Sequence, residues 1–146
     1  MVTHGVVLGH VVSQRGISTH DNKVKVILDL EPSTNSKGLQ VFMGHMNYYR
    51  RFIKDYAEIA KPMFSLINKF EWTEEATVSF EKLKRLLASA PILRSPDWDL
   101  VFHVHTDASG FAIGSILTQP GEHKMDYPIY FSSRQLNKAE QNYTTT

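Results

Sequence analysis

Leu39-Gln40-Val41-Phe42-Met43-Gly44-His45-Met46-Asn47-Tyr48-Tyr49-Arg50-Arg51-Phe52-Ile53 is the stretch on which the reading of this chain turns. At a helical period, Leu39, Phe42, Met46, Tyr49 and Ile53 gather on one side, with Met43 at the edge, and make a core face. Nearly opposite, Gln40, Gly44, Asn47 and Arg51 fall within a stripe of about 60°, with Tyr48 at its margin. Glycine inside a helix costs ~1 kcal/mol relative to alanine, and on an exposed face alanine meets no packing clash. Gly44 therefore marks a place where another molecule approaches the backbone, or a helix–helix contact, or a merely tolerated glycine. An amide, a glycine, an amide and an arginine in a row, beside an aromatic, suit a nucleic-acid minor groove. There Gln and Asn meet acceptors or sugars, and Arg neutralises phosphate.

Working outward, Thr34 is the candidate cap of this helix, which the pattern carries to about residue 53. Before it, the first twenty residues alternate and reach Gly16 in a polar turn, which reads as a β-hairpin. Val24, Ile27 and Leu28 then fall at helical spacing behind Asp21 as candidate N-cap, and the run stops before Pro32. After it, Pro62 suits the first turn of a helix carrying Met63, Leu66 and Ile67. Thr73, Glu74 and Glu75 start another, in which Ala76, Phe80, Leu83, Leu87 and Ala90 form one apolar stripe. Pro91, Pro96 and Asp97-Trp98-Asp99 make a linker, its aspartates turn-forming and solvated. Residues 101–106, 111–118 and 127–132 read as three strands. The expected class is α+β: a hairpin over 1–20, about four helices over 21–95, and a three-stranded antiparallel sheet over 96–146. Such a sheet is marginal alone, so the helical part has to cover it unless a further element is missing.

The 146 residues, at 16.7 kDa, suffice for a real core. With 42% hydrophobic and 21% charged residues and a mean hydropathy of −0.27, disorder is not the starting reading. The absence of cysteine excludes disulfides, thiolate catalysis and sulfur-ligated zinc. Apolar runs are too short for a membrane span or a signal-peptide core, so the expectation is an intracellular protein of cytoplasm or nucleus, not secreted and without a membrane partner. The net charge of +1 hides an asymmetry. Residues 1–70 carry nine Lys/Arg against five Asp/Glu, and residues 71–146 seven against ten. A basic half favours a polyanion partner, although a solvated helical face gives the same margin.

Several strings stand out along the chain: Leu8-Gly9-His10-Val11-Val12-Ser13 with Gly16-Ile17, Tyr48-Tyr49-Arg50-Arg51-Phe52-Ile53, Ala60-Lys61-Pro62, Trp72-Thr73 and Phe80-Glu81-Lys82-Leu83-Lys84. Pro91-Ile92-Leu93, Pro96-Asp97, Thr106-Asp107-Ala108-Ser109 and Ser132-Ser133-Arg134-Gln135-Leu136-Asn137 complete the series. Taken together they resemble the reverse transcriptase of gypsy-type long-terminal-repeat retrotransposons. The resemblance runs from about residue 7 to the last residue and implies the last palm hairpin (1–20), thumb and connection helices (21–95) and the first part of a ribonuclease H-like domain (96–146). It implies that Leu8, Gly9 and His10 hold the primer end, and that Gln40, Gly44, Asn47 and Tyr48 track the template-primer minor groove, with Arg51 beside them. Asp107 would be the first ribonuclease H carboxylate, an orphan ligand of magnesium or manganese. Glu31, Gly38 and Gln40 depart from the family pattern, which bears on nucleic-acid affinity more than on fold.

The resemblance places the polymerase Tyr-x-Asp-Asp segment before Met1 and the next ribonuclease H carboxylate after Thr146. One carboxylate cannot organise two hard cations, so neither parent activity is expected from these residues, and no stably bound Mg²⁺ or Mn²⁺. The expected function is residual binding of RNA–DNA hybrid or duplex DNA, with the remaining palm and ribonuclease H segments, or a second copy, as further partners. The rival is a protein-interaction or regulatory module that pairs through exposed sheet edges. A second rival, a metal held by His103, His105 and Asp107 on one strand face, suffers from ligands about 7 Å apart that converge poorly.

Overall fold

The computed structural model describes residues 4–122 and 125–143. Its core is built on the buried faces of helix α2 (Ser36–Tyr49) and helix α5 (Glu74–Ala88). Leu39, Phe42, Met46 and Tyr49 of α2 are buried, as are Ala76, Phe80, Leu83 and Leu87 of α5. The Phe42 and Phe80 rings meet with centroids 4.4 Å apart, and apolar burial of this kind is the dominant stabilising term. Thr73 caps α5 as expected, its side chain accepting from the Ala76 N–H at 3.2 Å, with Glu74 and Glu75 in the first turn.

The α+β class holds, with local corrections. The N-terminal element is a three-stranded meander, β1 (His4–Val7), β2 (His10–Ser13) and β3 (Gly16–Thr19), where a single hairpin was expected. The additional reversal is at Leu8 and Gly9, while the expected turn stands at Gly16, whose φ of +126° lets the chain reverse, and whose hydrogen leaves room for the Leu93 carbonyl. A Cβ there would stand 2.1 Å from that oxygen. Ile17 and Leu93 exchange backbone hydrogen bonds of 2.7 and 2.9 Å, so the linker borders this sheet.

In helix α1 (Asp21–Leu28) His20 occupies the N-cap position without a capping side-chain hydrogen bond, and Asp21 lies inside the first turn. The cap of α2 is Asn35, whose side chain accepts from the Gly38 N–H at 2.8 Å, in place of Thr34. After Tyr49 the chain tightens into a 3₁₀ turn (Arg50–Phe52), so Ile53 is buried from an extended residue beyond the helix. The helix expected from Pro62 is the short α4 (Lys61–Ser65), and a further short helix that was not expected, α3 (Tyr56–Ile59), precedes it. Pro62 near the start of α4 has no N–H with which to continue α3, and Leu66 and Ile67 lie past its end.

The second sheet is the antiparallel meander β4 (His103–Ala108), β5 (Ala112–Pro120) and β6 (Asp126–Gln135). The helical part covers it in part: α3 packs on β5 and β6, and the Ala57 N–H donates to the Ser133 hydroxyl at 2.9 Å, while β4 is exposed along its whole length. Gln119, fully buried on β5, fixes the linker through its amide, accepting from the Asp97 N–H at 2.9 Å and donating to the Asp97 carbonyl at 2.6 Å. Asp97 makes the expected turn, its carboxylate accepting from the Asp99 N–H.

Candidate nucleic-acid interface

The turn between β1 and β2 is made by Leu8 and Gly9, with φ of +48° and +77°. Two consecutive left-handed residues match the twist of the flanking strands in a two-residue reversal. Leucine adopts that conformation at a cost of ~1 kcal/mol, yet Leu8 is 86% exposed, so the strain sits at a tip without packing to compensate it.

Both tyrosines of α2 close on this turn. Tyr49, buried, donates its hydroxyl to the Gly9 carbonyl at 3.1 Å. Tyr48, half exposed, covers Gly9, where an added Cβ would lie 3.3 Å from the Tyr48 hydroxyl. His10 stacks between Tyr48 and Phe52, at 5.0 and 5.6 Å between centroids. Its Nδ1 faces the Tyr48 hydroxyl at 3.3 Å, and its buried Nε2 has no hydrogen-bond partner among the described residues. Burial, and then the Arg51 charge, push the His10 pKa below its ordinary value.

A cleft of about 420 Å³ brings together His10, Gly44, Asn47, Tyr48 and Arg51 from the expected set. Gly44 is exposed, and nothing lies within 4 Å of the place its Cβ would occupy, so helix–helix packing does not account for it among the described residues. Asn47 accepts from the Arg50 guanidinium at 3.3 Å. Gln40 is exposed one turn before Gly44, outside the cleft. Leu8 and Gly9 line a second, more apolar cleft of about 570 Å³, and Tyr48 stands between the two. Arg50 and Tyr130 of the first cleft, and Lys23 and His45 of the second, were not singled out from the sequence as site residues. Arg50 stands beside Arg51 in the motif and was within reach, whereas Tyr130 arrives from β6, eighty residues away, with no local signal.

Asp107 lies elsewhere, on β4 in register with Gly114, in a cleft shared with Asp55 and Glu58. Glu58 already accepts from the Ser109 hydroxyl at 2.7 Å. Among the described residues no group of three His, Asp or Glu side chains is arranged to hold a metal. The residues present do not fit a two-metal centre, which needs several carboxylates converging on hard cations. His103 and His105 turn to Asp126, not to Asp107: His103 Nδ1 is 2.6 Å and His105 Nε2 3.7 Å from its carboxylate. The His103 hydrogen bond, followed by one from the Thr118 hydroxyl, holds the Asp126 carboxyl below the usual range.

Residues 72–146, half of the chain, match the family model of the RNase H-like domain found in reverse transcriptase. The chain belongs to that family. Its relatives are Pol polyproteins of retrotransposons. The retrovirus-related Pol polyprotein from transposon opus of Drosophila melanogaster is 41% identical over 94% of this chain, which spans 15% of that polyprotein. Among solved structures, the foamy viral protease–reverse transcriptase in complex with double-stranded DNA superimposes with a TM-score of 0.82 and 26% identity. That match covers 99% of this chain and 31% of the viral one. The same viral protein in complex with RNA/DNA hybrid gives 0.80 and 25%, over 97% of this chain and 20% of the other. The RNase H-like sheet here is the meander β4–β6, and the helical segment and first sheet belong to the same superposition.

Proposed function

We propose that these 146 residues bind the backbone of RNA–DNA hybrid or duplex DNA through the cleft beside α2. Polymerisation and hybrid cleavage, with their magnesium or manganese, belong to the longer polyproteins. The observation that carries this reading is a convergence. Residues chosen from one helix face, Gly44, Asn47, Tyr48 and Arg51, line the same cleft as His10 from the β1–β2 hairpin. Gly44 leaves the helix backbone open to a close approach, Arg51 supplies charge, and Tyr48 a flat face. Contacts of this kind go to phosphate and sugar and carry no sequence preference. Viral relatives solved with double-stranded DNA and with hybrid support the same partner class. In this reading residues 1–20 are the end of the palm, 21–95 thumb and connection, and 96–146 part of the ribonuclease H-like domain.

Asp107 stands as the single family carboxylate in the chain, so extension of a primed template and cleavage of labelled hybrid are both expected to be absent with Mg²⁺ or Mn²⁺. Metal-dependent turnover that disappears in Asp107→Asn would overturn that part of the reading. Binding is tested by fluorescence anisotropy of a labelled hybrid, where saturable binding is expected and no binding at low salt would refute the proposal.

A further inference from the structure

Arg51, in the 3₁₀ turn after α2, is half-buried and makes no hydrogen bond or ion pair with the described residues. Its guanidinium carbon lies 5.4 Å from the centroid of the Tyr130 ring on β6. That is within the range of a cation–π contact, which holds the flat face of a guanidinium and leaves its edge N–H groups free. A long cationic side chain at a helix end otherwise samples many rotamers, and most of these do not point into the cleft. Tyr130 lines the same cleft, together with Arg51, Asn47 and Gly44. The strand is fastened nearby: Ser133, three residues on, accepts from the Ala57 N–H, and Tyr130 is in register with Leu117 of β5.

We infer that Tyr130 is a positioning residue for Arg51, so that the RNase H-like sheet forms one wall of the nucleic-acid site and sets the direction of its phosphate-binding arginine. The inference rests on the proposed function. It adds that the site is shared between the helical segment and the sheet, and that docking β6 on the 3₁₀ turn prepares the arginine for a polyanionic backbone. The ring face does this work, so phenylalanine and tryptophan substitute and an aliphatic side chain does not.

The test uses the 146-residue chain and a labelled RNA–DNA hybrid at low salt, with Arg51→Ala, Tyr130→Leu, Tyr130→Phe, Tyr130→Trp and the double variant Arg51→Ala/Tyr130→Leu. Tyr130→Leu is expected to weaken binding roughly 2- to 5-fold, the loss of one exposed cation–π contact, while the Phe and Trp variants stay within about twofold of the parent. In the Arg51→Ala background Tyr130→Leu is expected to cost nothing further. The Arg51 side-chain protons should be shifted upfield by the ring current in the parent and in Tyr130→Phe, and not in Tyr130→Leu. If Tyr130→Leu fails to fold, the Phe and Trp variants and the Arg51 shifts still decide. Weakening by Arg51→Ala with none by Tyr130→Leu, independent losses in the double variant, unshifted Arg51 protons, or weakening by Tyr130→Phe and Tyr130→Trp as large as by Arg51→Ala would each overturn the inference and leave the proposed site standing. No effect of Arg51→Ala would remove the site and the inference together.

Discussion

The Tyr49 hydroxyl donates to the Gly9 carbonyl at 3.1 Å, tying the buried face of α2 to the strained turn between β1 and β2. The bond fixes the hairpin tip relative to the exposed stripe of the same helix, because Tyr48, the preceding residue, also covers Gly9. Tyr49→Phe keeps the ring and removes the bond. A net loss of about 1 kcal/mol is expected, seen as a fall in melting temperature of about 2–4 °C, together with weaker hybrid binding. An unchanged melt would show that the turn holds its place without the hydroxyl.

Gly44 and Gly16 are expected to respond to alanine in opposite directions. At Gly44 the added methyl enters open space, so helix propensity raises stability by up to ~1 kcal/mol while the bulk on the cleft lowers hybrid binding. At Gly16 the methyl meets the Leu93 carbonyl and the φ of +126° disfavours any L side chain, so a loss of ~1 to 3 kcal/mol is expected. Thermal melts of both variants, with and without hybrid, check the pair. A Gly44→Ala protein that is stabilised yet binds as well as the parent would take Gly44 out of the site.

Helix α2 and the stripe of α5 were legible because each is long enough for its 3.6-residue period to be counted, and Thr73 is followed by acids in the first turn. The core residues Leu39, Phe42, Met46, Phe80 and Leu83 all follow from that period. The extra strand of the first sheet was not legible, since the reversal that separates it from β2 puts Leu8 itself in the left-handed region, a conformation leucine does not announce. The break between α3 and α4 was half legible: Pro62 marks a helix start, but nothing local announces the short helix Tyr56–Ile59 before it. Of the candidate site, the helix face could be read from spacing and the hairpin residues only from family resemblance. Tyr130 reaches the cleft through strand register and sheet docking, which no local pattern encodes.

The histidine at the edge of the cleft gives stability a pH dependence. Burial lowers the His10 pKa from 6.5, so the unfolded chain takes up a proton more readily than the folded one. Stability then rises with pH across this range: the contribution is fully present above 6.5 and is lost as pH falls below it. His10→Phe keeps a flat ring against Tyr48 and Phe52 and cannot titrate. Melts between pH 8 and pH 5, about three units around the histidine range, are expected to show a larger fall for the parent than for the variant. Parallel curves would mean that His10 is as easily protonated folded as unfolded.

The measurement that bears most directly on binding through the α2 cleft is the salt dependence of hybrid affinity, for the parent and for Arg51→Ala. Phosphate contacts release counterions, so log affinity is expected to fall linearly with log salt. The Arg51→Ala line should start lower by ~1 kcal/mol and be flatter by about one unit. An affinity that does not change between low and physiological salt, or two lines of equal slope, would contradict a phosphate-binding cleft built around Arg51.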